Sequence, residues 1–365
     1  MPKNGVFLGE FCPDDIKWLA DNGFDFLIGS SNDRFIALCR KYKIEPWTCL
    51  GTFNPPTKSP EYLCVSINGE RKEWFSSGCP NNPDVINFSL EKFEKAAEKD
   101  VSGIFCDGIR FASPASGLEA FFTCFCKHCE KKAQEYNVDF ERMKKDISTL
   151  YKRCKEGIPL IESSVSLTPS VVLSYFVSMP GVCDWLFFKK KVIADFVEKL
   201  SKIVRPKDKR LGGYFFSPCL SVFVGQDYSI LSRYIDICSP MLYRNTREKG
   251  SIAPINTELQ AISEWAENEK NPQWILDFTG LSSKIITKSD FLRKGISIED
   301  TVRETLIAKH LIGKKSRLIP ILWWKDTKIR KTIREVIKAG ASGIQIFWYT
   351  KETRRFIKSK LKRCL

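Results

Sequence analysis

The sequence contains only two histidines among 365 residues, and this scarcity excludes several kinds of catalytic site. His128 stands inside a cluster of cysteines and His310 inside a helical pattern. A nucleophile activated by histidine therefore has no suitable base, and a histidine-rich metal site has too few ligands. The sequence also lacks a glycine-rich loop of the kind that binds phosphates or dinucleotides. Carboxylates, aromatic side chains and arginine remain as the groups that can do chemistry.

Long apolar runs and linkers are lacking as well. No stretch reaches the ~18 apolar residues that are needed to cross a bilayer, so we expect no membrane contact. The first residues, MPKNGVFLGEF, do not combine a basic start with a long apolar segment, which predicts a cytoplasmic protein without a secretory signal. No Gly/Ser-rich or Pro-rich linker interrupts the chain, and this indicates a single domain.

The fourteen cysteines are many for a cytoplasmic protein, and one group of them indicates a metal site. Reduced thiols that cluster suggest metal binding rather than disulfides. Cys124, Cys126 and Cys129 form a Cys-x-Cys-x-x-Cys run, and Cys79 lies upstream. Four thiolates suit a closed tetrahedral zinc site with a structural role. The alternatives are that His128 replaces one thiolate, or that the thiols are free and Cys79 is unrelated. We expect structural zinc and no organic cofactor.

The net charge of +15 is concentrated near the C-terminus. From Lys314 onward there are sixteen lysines and arginines against three acidic residues, so the preceding part is nearly neutral. A basic end can contact phosphates or an acidic surface, or it can be a solvated helical face. We favour the solvated face because no nucleic-acid motif accompanies the charge. The oligomeric state stays undetermined.

Short apolar runs alternate with longer amphipathic ones, which is typical of repeated β-α units. We predict a (β/α)8 TIM barrel over residues 1–350 and a basic C-terminal helix or tail over 351–365. A long polar excursion from Asn54 to Asn87 follows the third strand, a single helix spans 117–136, and WILDFTGL is helical rather than a ninth strand. The eight predicted strands are GVFLGEF, FDFLIGSS, IEPWTCLGTF, VSGIFCDGIRF, LGGYFFSP, IDICSPMLYR, RLIPILWW and SGIQIFWY.

Catalytic residues of such barrels lie at the C-terminal ends of the strands, and Asp107 is the strongest candidate there. It ends the apolar run Ile-Phe-Cys-Asp of the fourth strand, where a buried carboxylate is costly unless it is paired. Gly108 allows a turn, and the charge of Arg110 can hold Asp107 ionised. The alternative is a structural Asp–Arg pair that closes the top of the barrel.

Cleavage of a glycosidic bond needs a second carboxyl group, and the sequence offers three candidates. Asp227, after the fifth strand, is the first choice, and Asp326 and Glu10 follow. Each of them can equally be a helix cap or a loop carboxylate. The remaining predicted substrate contacts are aromatic or basic side chains at strand ends, which can stack on sugar rings or hydrogen-bond them, and the aromatic ones can equally cap the core: Arg110, Tyr243, Trp323 and Trp348.

The cysteine run, with Cys79 upstream, resembles the structural zinc site of glycoside hydrolase family 42 β-galactosidases. GCPNNP, VSGIFCDGIRF and YIDICSPMLYR are also similar to uncharacterised glycosidase-like barrels, and the resemblance spans residues 5–350. It implies a barrel with zinc held by Cys79, Cys124, Cys126 and Cys129. The family's Asn-Glu pair on strand four and glutamate on strand seven are absent here, since these strands end in Cys-Asp and Trp-Trp-Lys-Asp. β-Galactosidase activity is therefore not implied, and an aspartate at strand four is more similar to α-glycosidases.

We accordingly expect a glycoside hydrolase that cleaves an unidentified glycan by two-carboxylate chemistry, with a carbohydrate substrate as its partner. One alternative is a non-catalytic barrel that binds carbohydrate or an acidic polymer. Another is an enzyme on phosphorylated glycans or nucleic acid, steered by the basic end. That last function would place Lys325, Arg330 and Arg354 around the catalytic cleft.

Overall fold

The computed structural model of the chain describes residues 3–9, 11–158, 168–246, 254–265 and 272–357. The strands in this part are β1 Gly5–Leu8, β2 Phe26–Gly29, β3 Glu45–Gly51, β4 Cys64–Val65, β5 Arg71–Lys72, β6 Gly103–Asp107, β7 Arg210–Phe215, β8 Ile237–Pro240, β9 Arg317–Leu318, β10 Ile321–Trp323 and β11 Gln345–Tyr349. The helices are α1 Pro13–Asp21, α2 Asp33–Lys41, α3 Pro83–Ala97, α4 Leu118–Phe121, α5 Lys127–Glu135, α6 Phe140–Lys155, α7 Pro169–Ser178, α8 Pro180–Val204, α9 Pro218–Ser221, α10 Tyr228–Leu231, α11 Ile255–Glu264, α12 Gln273–Thr279, α13 Lys288–Arg293, α14 Ile298–Ile312, α15 Ile329–Lys338 and α16 Lys351–Phe356.

Parallel pairing joins the long strands into one curled sheet. β1, β2, β3, β6, β7 and β8 pair in that order, and β11 pairs with β1 on one side and β10 on the other. β8 pairs with β9, which β10 follows after two residues, so the two ends of the sheet meet. A parallel bridge between Met241 and Ile321 completes the contact. The predicted barrel is confirmed, with β9 and β10 together in the seventh strand position.

Large aromatic rings fill the barrel interior because glycines on neighbouring strands leave room for them. The ring centroids of Trp47 and Phe105 are 5.1 Å apart, and those of Phe105 and Tyr214 are 4.9 Å apart. A Cβ atom on Gly103 would lie 2.4 Å from the Trp47 ring, and one on Gly212 would lie 2.6 Å from the Phe105 ring. The interior is thus a packed core, and chemistry is left to the C-terminal ends of the strands.

The excursion after β3 is shorter than predicted. It contains the antiparallel pair β4–β5, and α3 already begins at Pro83 instead of after Asn87. The reason is local, because the Asn82 side chain accepts the Asp84 N–H and Pro83 occupies the first helical turn. Two ordinary helix-start signals therefore lie inside the polar stretch that the sequence analysis assigned to the loop.

The single helix predicted over residues 117–136 is wrong. The chain forms α4 and α5 with a break between them, and the extended backbone of Cys126 (φ −84°, ψ 166°) precedes α5. Cys124 lies within the break, where its sulfur accepts the Val65 N–H at 3.3 Å. The break lets Cys124 and Cys126 turn toward the excursion, which a continuous helix would prevent.

The remaining helical predictions agree with the structure. WILDFTGL lies in and directly after α12, as predicted. Helix α16 belongs to the described part of the basic C-terminal end, whereas residues 358–365 lie outside the described residues. The domain boundary at residue 350 stays a prediction. In the described part of the chain no single helix meets the length and hydropathy of a membrane span, although the bent pair Ser170–Ser178 and Pro180–Lys207 does so jointly.

Candidate functional site

Asp107 is the last residue of β6 and is half-buried at the C-terminal end of the barrel. Its Oδ1 accepts the N–H of Gly108 at 2.8 Å. Burial raises the pKa of the Asp107 carboxyl, and this effect outweighs the opposing ones of the Arg110 charge and the Gly108 N–H. Arg110 acts on Asp107 in the predicted direction, and desolvation by burial is the larger effect. A carboxyl group in this environment is suited to donating a proton.

Arg110 is held by aromatic rings between two carboxyl groups. Its guanidinium carbon lies 4.6 Å from the ring centroid of Trp74 and 4.8 Å from that of Phe216, and the residue is 7% exposed. Burial lowers the pKa of Arg110 to about 10, while Glu258 and Asp107 act in the opposite direction. Its positive charge is thus shared between Asp107 and Glu258.

Glu258, on α11, is a buried carboxylate that the sequence analysis missed. It accepts hydrogen bonds from the Ser113 hydroxyl at 2.9 Å and the Ala115 N–H at 2.8 Å. Burial raises the pKa of this carboxyl, and these hydrogen bonds and Arg110 oppose the shift. Glu258 therefore fixes the loop that follows Arg110.

The loop after β7 is held by a glutamate in the same way. Glu304 on α14 accepts from the Ser217 hydroxyl at 2.6 Å and from the Cys219 N–H at 2.8 Å. In both loops a Ser-Pro pair follows the strand, and the N–H after the proline joins the serine in binding the glutamate. The repeated Ser-Pro pair is a signal that could have identified the loops, whereas the glutamates lie within amphipathic helices and carry no comparable mark.

Asp227 is the N-cap of α10. Its Oδ1 accepts from the Ser229 N–H at 3.0 Å, from the Ser229 hydroxyl at 2.6 Å and from the Ile230 N–H at 3.2 Å. Lys190 lies 3.5 Å from its other oxygen. These hydrogen bonds and Lys190 outweigh burial and lower the pKa of the Asp227 carboxyl. The arrangement is that of a structural cap.

Asp227→Ala is expected to cost about 1 kcal/mol of unfolding free energy, as loss of an N-cap does, without lowering turnover of a glycan substrate. Urea denaturation and initial-rate measurements on the same preparation check both parts. A large fall in turnover at nearly unchanged stability would return Asp227 to the set of catalytic candidates.

Asp326 is buried in an ion pair with Arg244. The guanidinium donates to its two carboxylate oxygens at 2.7 and 2.5 Å, and both side chains are at most 5% exposed. Asp326 also accepts the Lys328 N–H at 2.9 Å and the Thr332 hydroxyl at 3.1 Å. Asp326 therefore holds the first turn of α15 against Arg244. Glu10, the third predicted partner of Asp107, lies outside the described residues.

The predicted aromatic contacts separate into buried and exposed rings. Tyr243 is 1% and Trp323 6% exposed, and their ring centroids lie 5.3 and 5.5 Å from that of Phe347. Trp348 is 43% exposed and stacks on Phe7 with the centroids 5.7 Å apart. Of these three predicted aromatic residues, Trp348 has the ring that a ligand can reach directly.

Two of the three cations predicted to gather around a phosphate, Lys325 and Arg354, contact partners within the protein. Arg354 lies 3.2 Å from Asp15, which balances its charge. The ammonium of Lys325 lies 5.7 Å from the ring centroid of Trp323 and 5.5 Å from that of Trp324. These contacts give no support to a phosphate site.

Four cysteine sulfurs converge beside the barrel. Cys79 Sγ lies 3.5 Å from Cys126, 3.6 Å from Cys129 and 3.7 Å from Cys124, and all four sulfurs are within 4.8 Å of one another. A tetrahedron with Zn–S bonds of about 2.3 Å has S···S edges of about 3.8 Å. The spacing of the four sulfurs therefore fits a zinc ion at their centre.

Backbone and side-chain donors also surround this cluster. The Asn81 N–H lies 3.4 Å from the Cys79 sulfur and its Nδ2 lies 3.3 Å from that of Cys129, in addition to the Val65 N–H directed at Cys124. Such donors stabilise thiolates and orient metal ligands. The residues present thus fit a closed four-thiolate metal site.

Lys189 is fully buried close to this cluster, although it belongs to a run of three lysines that suggests a solvated face. Its ammonium lies 3.3 Å from the Trp185 ring centroid and donates to the Phe223 carbonyl at 3.1 Å. Burial lowers the pKa of Lys189, while the charges of Cys64 and Cys124 oppose this. The helical spacing of Trp185, Phe188 and Val192 marks this face as the inner one and is the signal that was overlooked.

Comparison with known proteins bears on the fold. No protein-family model and no curated protein matches the chain. Among solved structures, the PgaB (BpsB) glycoside hydrolase domain from Bordetella bronchiseptica has a TM-score of 0.53 at 12% identity, covering 97% of this chain and 96% of that one. A GH18 chitinase from Pseudoalteromonas aurantia has a TM-score of 0.44 at 10% identity, with 100% of each chain covered. The first similarity agrees with the barrel architecture.

Proposed function

We propose that the protein is a glycoside hydrolase in which Asp107 is the general acid. The observation that carries the proposal is a carboxyl group at the end of the fourth barrel strand whose pKa is raised by burial. Cleavage of a glycosidic bond needs an acid that protonates the leaving oxygen, and a raised pKa keeps Asp107 protonated at higher pH than an ordinary aspartate. The glycoside hydrolase domain with the same fold supports carbohydrate as the substrate class.

The other groups of the site take supporting roles in this proposal. Arg110, clamped by its aromatic neighbours, limits the rise in the Asp107 pKa, and the exposed Trp348 ring offers a face to a sugar. Asp227 and Asp326 are left out because their oxygens are already bound within the protein. Glu10, which lies outside the described residues, is the remaining sequence candidate for the second carboxyl group.

We further propose that Cys79, Cys124, Cys126 and Cys129 bind one structural zinc ion. The support is the near-tetrahedral spacing of buried sulfurs drawn from two separate segments. A zinc ion held by four thiolates has no open position for substrate. It ties the excursion after β3 to the segment after β6, and the excursion carries Trp74 over Arg110.

Asp107→Asn tests the proposed acid. We expect hydrolysis to fall by roughly 10²–10⁴-fold, the usual contribution of a general acid, with unchanged thermal stability. A panel of nitrophenyl glycosides and glycan polymers is screened with the parent protein and then with the variant. Because the protonated form is required, kcat/KM should decline as pH rises through the raised pKa of Asp107, above the ordinary aspartate range.

The Asp227→Ala protein is the control for this experiment, since it also loses a carboxylate beside the barrel. Full activity of Asp107→Asn would reject the proposed acid. Glycan binding without hydrolysis of any member of the panel by the parent protein would favour a non-catalytic carbohydrate-binding barrel. This second function is supported by the hydrogen bonds of Asp227 and Asp326 within the protein, because they leave neither carboxylate free to act as the second catalytic group.

A further inference from the structure

A cleft of about 370 Å³ opens beside the loops that follow β3 and β6. Both loops lie at the C-terminal end of the barrel, as Asp107 does. The side chains that matter for recognition are those of Lys72, Glu73, Ser116, Glu119, Tyr151 and Lys155. A volume of this size is within the range of small-molecule binding sites.

The charges along the cleft balance. Lys72 Nζ lies 2.5 Å from Glu119, which also lines the cleft, while its second partner, Glu70 at 2.6 Å, lies outside the lining. Lys155 and Glu73 add one charge of each sign to the lining. A strongly charged polymer of either sign would therefore meet as much repulsion as attraction.

Polar groups of both kinds remain available for a neutral ligand. Carboxylates accept hydrogen bonds and ammonium groups donate them, whereas a hydroxyl group does both. Ser116 adds a hydroxyl, and the Tyr151 hydroxyl in the lining accepts from Asn68 at 2.8 Å. A ligand with many hydroxyl groups and no charge, such as a sugar, satisfies this mixture best.

A chain of contacts leads from Asp107 to the cleft. The half-buried Phe75 ring lies against Gly108, since a Cβ atom placed there would be 3.3 Å from it. Trp74 comes next, over Arg110, and Glu73 then lines the cleft. The described contacts therefore connect the carboxyl group to the cleft through successive residues of the excursion.

Phe75 stands in a tight turn of the excursion. Phe75 and Ser76 have φ values of 48° and 51° as the two central residues of this turn, which the Trp74 carbonyl closes by accepting the Ser77 N–H at 2.8 Å. Within the described residues, the indole N–H of Trp74 is buried without a hydrogen-bond partner. Trp74 is 4% exposed and packs over Arg110, so Phe75 is the aromatic ring of this turn that a ligand can reach.

We propose that Phe75 and the cleft bind successive sugars of a neutral oligosaccharide that extends from Asp107. The bond cleavage at Asp107 rests on the proposed function, but the binding does not. The substrate is then a chain of several sugars, with one ring stacked on Phe75 and the next residues hydrogen-bonded in the cleft.

Binding is measured with the full chain carrying Asp107→Asn, so that no ligand is consumed. The probes are cellohexaose, chitohexaose and maltohexaose, with a hexameric polygalacturonate and a chitosan hexamer as charged comparisons. Calorimetry measures the affinity for each probe. We expect at least one neutral hexasaccharide to bind, and more tightly than either charged oligomer. Adding Phe75→Ala, or Glu73→Ala together with Lys155→Ala, should weaken that binding at least tenfold, since each removes a ring face or charged hydrogen bonds.

Matched controls are Phe187→Ala, which removes an exposed aromatic ring on α8, and Lys152→Ala, which removes an exposed ammonium on α6. Both should leave the affinity unchanged, and melting temperatures confirm that every variant is folded. The inference would be overturned if none of the neutral hexasaccharides bound, or if only the charged oligomers did. It would also be overturned if the cleft variants bound the neutral hexasaccharide as tightly as the protein that carries Asp107→Asn alone. Hydrolysis that survives Asp107→Asn would overturn the proposed acid alone, because the affinities decide the cleft independently.

Discussion

Cys79→Ser is expected to abolish binding of one zinc ion per chain and to lower the melting temperature by roughly 5 °C. Zinc at 1,000 times its Kd contributes about 4 kcal/mol to the free energy of unfolding. With an unfolding entropy of about 2.1 cal/mol/K per residue, a chain of 365 residues loses about 1.3 °C per kcal/mol. Elemental analysis and thermal denaturation, with and without a chelator, measure the two effects.

Cys79 is the informative member of the cluster because it comes from a different part of the chain. Cys124, Cys126 and Cys129 lie within six residues, so their closeness follows from local geometry. The Cys79 sulfur is brought to them by the fold of the excursion, and thiolates that converge without a cation repel one another. Its replacement therefore tests the metal and not merely local packing.

Two other cysteines serve as matched controls. Cys39→Ser makes the same change at a fully buried position on α2, far from the cluster in sequence. Cys64 lies beside the cluster, with its sulfur 3.7 Å from the Gly78 carbonyl, but its sulfur is not one of the four that converge. Both variants should retain zinc. Metal-free parent protein, or a Cys79→Ser protein with full zinc content, would contradict the proposed site.

The sequence is informative about the barrel because each strand is a short apolar run bounded by polar residues. The same rule identifies the place of Asp107, since an aspartate that ends such a run must lie at the rim of the barrel. It does not determine the protonation of Asp107. The balance between desolvation and the charge of Arg110 depends on how deeply both groups are buried, and no local pattern encodes that depth.

The second carboxylate shows a different limit. Asp227 follows a strand and precedes a helix, and an N-cap and a catalytic residue have the same sequence context there. Only the three hydrogen bonds to Oδ1 separate the two roles. Glu258 illustrates the reverse case, because a mid-helix glutamate is expected on a solvated face, yet tertiary packing places it against Ser113.

Asp326→Ala is expected to lower the free energy of unfolding by about 3–5 kcal/mol, the cost of breaking a buried ion pair. The variant leaves the Arg244 guanidinium, which is 5% exposed, without the carboxylate that accepts its two hydrogen bonds. Urea denaturation of the parent and variant proteins gives the difference. Asp100→Ala is the comparison, because Arg40 binds Asp100 in the same bidentate manner at the surface.

Asp100→Ala, at the exposed pair, should lower the free energy of unfolding by at most about 1 kcal/mol, since water replaces the missing carboxylate. A double variant, Arg244→Met with Asp326→Leu, should recover most of the loss because no uncompensated charge stays buried. It should still lack about 1 kcal/mol, as Asp326 also accepts the Lys328 N–H at the start of α15. If Asp326→Ala instead costs no more than Asp100→Ala, Arg244 reaches water in solution, and Asp326 becomes available again as a carboxylate of the barrel rim.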